Sequence, residues 1–426
     1  MSKTRRAFLT DGVLLGVAVG VSPWVAGCNE EPRAGARDAM GQDSSPADGS
    51  RDVKAGDVSA GDVSAGDVSA GDDSGPADGK GADVRGRDVR VADGPGKLQL
   101  KPSGPVNFTK NGQTIEGLDI VAPTGKDAVT NGGFTDCILK NCRIRHHHGM
   151  GVNASDAHRM RLENLDIAAT NPPSGCSPWP SNADDHLNVH FYNCDDVRCL
   201  NLRLAHGSSG IYMSSSDSPD FDNLMMRNFH GPMPRGQGIQ WNTCTNSKGI
   251  VNLKNFSVFN DVQASFPEDN ISLYKTKDFI LEDGLCDGNN SQSGCAFLIE
   301  DPPSGNVTIR NCHASKQSNG CFCPADTAHD VSFIDCYAES MYYNHALCGR
   351  SASGSNGLIA GGVGSPVRIV VKNLAINADP SGKNFYINAP NQAAQLKWPA
   401  SAFSSYSSSF TKRILRSEVA LVMPWE

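Results

Sequence analysis

Apolar and polar residues alternate along most of this chain in short runs, without the three-to-four spacing of a helix face. GVNA (151–154), HLNVHF (186–191), GIYMS (210–214), GIQWN (238–242), NISLY (270–274) and AFLIE (296–300) each put every second side chain on one face. Each predicts a strand with one buried side. A second signature recurs between them, a polar residue followed by an apolar one. Asn201-Leu202, Asn228-Phe229 and Asn255-Phe256 are spaced 27 residues apart. Asn141-Cys142 and Asn164-Leu165 precede them, and Asn311-Cys312, Asp335-Cys336 and Asn373-Leu374 follow. Gly117-Leu118 and Asp283-Gly284 read as degenerate copies.

A period in the twenties fits a leucine-rich-repeat horseshoe or a β-solenoid. The horseshoe needs a Leu-rich convex segment, and the second half of each unit here is a short strand pattern instead. Dense Gly and Asn suit a coil that turns several times per rung. The expected fold is all-β, a right-handed parallel β-helix of about ten rungs over residues 98–380. Residues 381–426 lose the period and, with Trp398, Phe403, Tyr406 and Phe410, are expected to cap its C-terminal end. The recurrent Asn-apolar segments resemble the inward asparagine ladder of the pectin-lyase-like superfamily. That resemblance is one of architecture, without a diagnostic catalytic motif.

Ahead of the repeats, Arg5-Arg6 and Phe8-Leu9 open an apolar stretch too short for a comfortable membrane span. The segment resembles a twin-arginine export signal, and Val25-Ala26-Gly27-Cys28 resembles a bacterial lipobox. By that resemblance Cys28 is the lipidated first residue of the mature chain, and Asn29 directs it to the outer membrane or cell surface. Residues 29–97, with their Ala-Gly-Asp-Val-Ser repeats, cannot bury enough apolar surface to offset ordering entropy and read as a tether.

Export makes disulfides available to the remaining cysteines. Cys142, Cys312 and Cys336 fall in the apolar slot after the ladder residue and are expected as buried thiols. Cys286 with Cys295 and Cys194 with Cys199 are the expected bridges. A formal net charge of −8, much of it in the tether, argues against nucleic acid as a partner. The expected partners are a polysaccharide and, through the anchor, a membrane, with the protein acting as a monomer.

Equivalent strand residues of successive rungs stack ~4.8 Å apart, so aligned columns become surface stripes. Aligning Val152, Leu187, Ile211, Ile239, Ile271 and Phe297 inward leaves two outward columns. One is Asn153, Asn188, Tyr212, Gln240 and Ser272. The next is His190, Ser214, Asn242, Tyr274 and Glu300, with Lys275 and Asp301 just beyond. Amides, hydroxyls, a histidine and tyrosines on a flat face suit a sugar polymer. Asn188, Tyr212, Gln240, Asn242 and Ser272 are therefore the expected binding residues, with the insertion ATNPPSGCSPWPSNADD (169–185) as one wall.

Asp184-Asp185 and Glu268-Asp269 precede their strands at equivalent offsets but lie three rungs apart, ~14 Å by the strand spacing. That is too far for one ion or for a glycosidase carboxylate pair. In polysaccharide lyases of this architecture an acid cluster holds Ca²⁺ and a Lys, Arg or Tyr removes the C5 proton of a uronate. That resemblance implies Lys275 or Tyr274 as the base, near Glu300, Asp301 and His190. It implies Asp184, Asp185 and Asp269 as ion ligands, since carboxylates suit Ca²⁺. Two functions stay open: a lyase or hydrolase of an acidic glycan, and a non-catalytic glycan-binding or structural surface protein. Of His146-His147-His148, neighbours on a strand point to opposite faces. His146 and His148 alone can share a side, with His158 nearby, and a solvated turn is expected.

Overall fold

The computed structural model describes residues 97–180, 183–325, 328–339, 356–360, 369–372, 374–377, 383–387, 403–405 and 418–426. The signal, Cys28, nearly all of the tether, and Trp398, Tyr406 and Phe410 lie outside them. The chain is a right-handed parallel β-helix, the hand that a crossover between parallel neighbours of one sheet takes. Sheet B holds eleven parallel strands from Val106–Asn107 to Lys383–Ile387, including Val152–Ser155, Val189–Tyr192, Ile211–Ser214, Ile239–Asn242, Ile271–Tyr274 and Cys295–Glu300. Sheet A, 16-stranded, contains longer strands such as Ile138–His146, Arg161–Ala169, Arg198–Ala205, Asp220–Arg227 and Leu253–Phe259.

Each long strand of sheet A bends at one residue of left-handed backbone: Asn141 (φ 53), Asn164 (φ 53), Asn201 (φ 57), Asn223 (φ 61), Asn255 (φ 51) and Asp283 (φ 60). Asn and Asp visit this region more readily than other side-chain-bearing residues. Gly117, the degenerate copy, takes the same bend at φ 70. The side-chain amides then bond from rung to rung: Asn164 Nδ2 donates to Asn141 Oδ1 at 2.9 Å, Asn201 to Asn164 at 2.8 Å, and Asn223 to Asn201 at 2.6 Å. The ladder stands half-buried at a corner, while the next residue (Cys142, Leu165, Leu202, Leu224 or Phe256) fills the core.

The even 27-residue period is not the ladder. Leu202 pairs with Leu224 and Leu224 with Phe256, so Asn223 is the true rung and Asn228 ends its strand. Ladder steps run from 22 to 37 residues because the loops differ in length. At Asp283-Gly284 the missing side chain makes room for Phe256, whose ring carbon lies 2.0 Å from where a Cβ would sit. Overpacking of this kind typically costs about 1–3 kcal/mol.

The core columns of sheet B also depart from expectation at one rung. Val152 pairs with Val189, not Leu187, and the column continues through Ile211, Ile239, Ile271 and Phe297. Leu187 belongs to the incoming loop. The expected bridges are absent: Cys194, Cys199 and Cys286 are buried free thiols, and Cys295 bonds to Cys323 on the next strand. Cys142, Cys312 and Cys336 are buried thiols as expected.

Strand pairing does not stop at residue 380. Lys383–Ile387 pairs with Asn356–Ala360, and Phe403–Ser405 with Leu374–Asn377. Residues 418–426 lie along sheet A instead of closing the C-terminal end. Arg227 Nε donates to Glu418 at 2.5 Å, Val419 N to Ser257 Oγ at 3.1 Å, and Leu98 N to Pro424 O at 3.1 Å.

Candidate functional site

The corrected register moves one rung of the outward face. The first column reads Asn153, His190, Tyr212, Gln240, Ser272 and Leu298, and the second Ser155, Tyr192, Ser214, Asn242, Tyr274 and Glu300. Asn188 drops out: it is fully buried beneath the loops, where its Nδ2 donates to His146 Nε2 at 3.1 Å and to Ala205 O at 3.1 Å. Tyr192, absent from the expected columns, is 49% exposed and leads the second one.

In the first column a chain of contacts crosses three rungs. Asn153 Nδ2 donates to Asp127 Oδ2 at 2.8 Å, and Asn153 Oδ1 accepts from His190 Nδ1 at 3.1 Å. Burial lowers the His190 pKa, which keeps the ring neutral. His190 stacks parallel on Tyr212 at 5.6 Å, and the Arg235 guanidinium sits 3.9 Å from the centre of the Tyr212 ring. Arg235, 8% exposed, donates from Nε to Asp184 Oδ1 at 2.7 Å and from Nη1 to Gln240 Oε1 at 3.2 Å. The Tyr212 ring is thus engaged by His190 and Arg235, and its hydroxyl accepts from Asn242 at 3.2 Å. Arg235 was not among the expected site residues. Its signal was local: GPMPRGQG fixes an arginine between prolines and glycines just ahead of a strand.

In the second column Tyr274 pairs with Glu300, as expected. Lys275 Nζ lies 3.8 Å from Asp301 Oδ2 and 4.7 Å from the centre of the Tyr274 ring. Hydrogen bonding to Tyr274, with the Asp301 charge beside it, raises the Lys275 pKa, and burial raises that of Tyr274. Both shifts favour the protonated form, the wrong direction for a general base at neutral pH.

The acids expected to hold an ion are spoken for. Asp184 is taken by Arg235. Asp269, 3% exposed, accepts from Cys295 N at 2.7 Å. Burial, with Glu268 and Glu300 nearby, pushes its pKa well up. The Asp185 side chain lies outside the described residues. Among the described residues no three His, Cys, Asp or Glu side chains are grouped as a metal ion requires. Asp184 and Asp269 therefore do not fit the calcium ion that the resemblance implies.

The insertion does form a wall. Trp179 N bonds to His230 O at 3.0 Å and Trp179 Nε1 to His206 O at 3.2 Å, and the sulfur of Cys176, a disulfide-bonded cysteine, lies 3.2 Å from Val262 O. It thus runs along the loops that enter three successive strands of sheet B. The histidine triplet packs against this wall and is not a solvated turn. His146 is buried, with Nδ1 donating to Gly149 O at 2.7 Å, and burial lowers its pKa to about 4. His147 and His148 surround His186, which stacks on Trp179 at 3.8 Å. His158 lies elsewhere, 3.3 Å from Asp195.

No family model matches this chain, and no curated protein matches it. Among solved structures it is similar to a surface adhesin of Streptococcus pneumoniae, at 10% identity and a TM-score of 0.41 over 68% of this chain and 73% of that one. It is also similar to an alginate lyase from Paenibacillus (10%, 0.36, over 67% and 99%) and to a polygalacturonase from Erwinia carotovora (10%, 0.34, over 68% and 86%). At such identities and scores nothing about activity passes from them to this chain. What its own strand pairing establishes is a right-handed parallel β-helix with one walled, polar and aromatic outer face.

Proposed function

We propose that the protein binds a polysaccharide along the outer face of sheet B, the sugar chain running across the strands parallel to the helix axis. The observation that carries this reading is the second column. Tyr192, half exposed, and Tyr274 stand three rungs apart, ~14 Å by the strand spacing, with Ser214 and Asn242 between them. Tyrosine offers an apolar ring with a polar tip, and hydroxyl and amide groups offer both donors and acceptors. That combination matches a sugar ring, which has apolar faces and a polar rim.

Binding is better supported than bond cleavage. An elimination needs a deprotonated base, and Lys275 and Tyr274 are both shifted toward protonation. The resemblance of the N-terminal segment to an export signal and lipobox supports a reading in which this face lies outside the cell, tethered through Cys28.

Retardation of the protein in native gels cast with soluble polysaccharides tests the binding reading. The expected result is retardation by at least one polymer and a loss of about tenfold in affinity for Tyr192→Ala, within the range for an exposed aromatic hot spot. Retention unchanged in Tyr192→Ala would move the site off this face. Incorporation of radiolabelled palmitate, absent in Cys28→Ser, is expected if the anchor is real.

A further inference from the structure

We infer that the glycan bound on sheet B is uncharged, and not a uronate polymer; this rests on the binding reading above. The argument is one of committed charge. Among the described residues that form the two columns or bond to them, the cations are Arg235 and Lys275. Each already has a carboxylate: Asp184 on Arg235 at 2.7 Å, and Asp301 near Lys275 at 3.8 Å. Arg235 is further fixed by Gln240 and by the Tyr212 ring, and at 8% exposure it offers little of its guanidinium to an incoming group.

The same stretch holds a third acid, Asp127, bonded to Asn153. His190, the remaining basic group on the columns, is held neutral by burial and bonded to Asn153. A polyuronate laid on this face brings one carboxylate per sugar toward a surface with more acids than cations. Like charges juxtaposed across an interface select against a partner. Specific uronate recognition uses uncommitted arginine forks or a bridging cation. On this face Arg235 and Lys275 are paired, and Asp184 and Asp269 do not fit an ion. What the columns present instead is Asn153, Ser155, Asn242, Tyr192 and Tyr274, groups that bond hydroxyls and cover ring faces without needing charge on the ligand, whereas Gln240 at 8% and Ser272 at 1% exposure, both expected as binding residues, are buried beneath them.

The same charges state what would reverse the preference. Replacing Asp184 and Asp301 by their amides removes two negative charges, keeps the side-chain shapes and releases Arg235 and Lys275.

The test is affinity electrophoresis of the full chain in gels containing neutral glucans (dextran, β-1,3-glucan, α-1,3-glucan made soluble by carboxyl-free derivatisation) or polygalacturonate and alginate, each at low and high salt. The expected result is retardation by a neutral polymer, changed less than twofold by salt, with at least tenfold weaker retention by either polyuronate. The variant Asp184→Asn with Asp301→Asn is expected to gain at least fivefold in polyuronate retention, in a salt-sensitive manner. Tighter, salt-sensitive binding of the unaltered protein to a polyuronate overturns this inference and leaves the binding reading standing. Retention by no polymer of either class overturns both. Circular dichroism of the double variant checks that it folds; if it does not, the single variant Asp301→Asn, at the more exposed pair, carries the same comparison.

Discussion

On the outside of sheet A, Asp119, Arg143, Asp166 and Arg203 follow one another from rung to rung. At the corresponding positions of sheet B, Thr130, Asn153, His190 and Tyr212 follow one another in the same way. The first series neutralises itself. Arg143 Nε donates to Asp119 at 2.8 Å, Asp166 accepts from Arg145 at 2.8 Å and Arg203 at 3.0 Å, and Arg203 continues to Glu426. The C-terminal segment then lies over that ladder. The second series is neutral by composition, and a wall borders it without covering it. One β-helix thus uses similar outward positions in two ways: on sheet A acids and arginines neutralise one another, and on sheet B uncharged amides, hydroxyls and rings line the outer face.

Acid should separate the two faces most strongly. His146 is held near 4 by burial and His186 near 3, whereas an unfolded histidine titrates at about 6.5. Below pH 6.5 the unfolded chain takes up protons that the folded one refuses, so stability falls as pH falls toward 4. At pH 5 the loss is on the order of 2 kcal/mol from His146 alone, with His186 acting in the same direction. The sheet A carboxylates Asp119 and Asp166 are held below their ordinary pKa and remain ionised there. Hydrogen exchange at pH 7 and pH 5 is expected to show lost protection at residues 146–151 and 183–188, around His146 and His186, while the sheet A strands Arg198–Ala205 and Asp220–Arg227 keep theirs. Loss starting in sheet A would break the contrast.

Removing the centre of the charge ladder comes next. Asp166→Ala strands Arg145 and leaves Arg203 with Glu426 alone, and Asp166 itself is 6% exposed. A fully buried pair broken this way costs about 3–5 kcal/mol. Both arginines keep part of their surface in water, so about 2 kcal/mol is expected, read as a lower urea midpoint with unchanged glycan retention. The smallest effect belongs to the other face. Tyr192→Ala removes an exposed ring and is expected to shift stability by no more than ~0.5 kcal/mol while weakening retention. An equal loss of stability in the two variants would mean that the faces do not differ as described.

Much of the fold was legible because it is written in local rules. A strand with one buried face must alternate, and a one-residue corner in left-handed backbone is taken most readily by Asn, Asp or Gly. The ladder at Asn141, Asn164, Asn201, Asn255 and Asn311 followed from those rules. Asn228 deceived because an even period looks like a rung, and loops of unequal length mean that true rungs are not evenly spaced. His190 was misplaced by two residues for a related reason. HLNVHF alternates equally well from Leu187 or Val189, and the pairing with Val152 settles it.

The site was less legible than the fold. Tyr274 with Glu300, and Lys275 with Asp301, could be read because parallel pairing brings equivalent positions together. Arg235 against Tyr212 could not be, since Arg235 lies in a loop whose path no periodicity predicts. Nor could the burial of Asn188, or the pairing of Cys295 with Cys323.

The sequence by itself determined that this chain coils into parallel rungs, which residues turn inward, and that one outer face is polar and aromatic, because each depends on near neighbours and a repeat. The tertiary structure alone decided which rung each strand joins, which acids are neutralised by which cations, and whether a given ring is free or covered. Those outcomes depend on contacts between residues tens of positions apart, and no local pattern encodes such a contact until the coil has brought the two ends together.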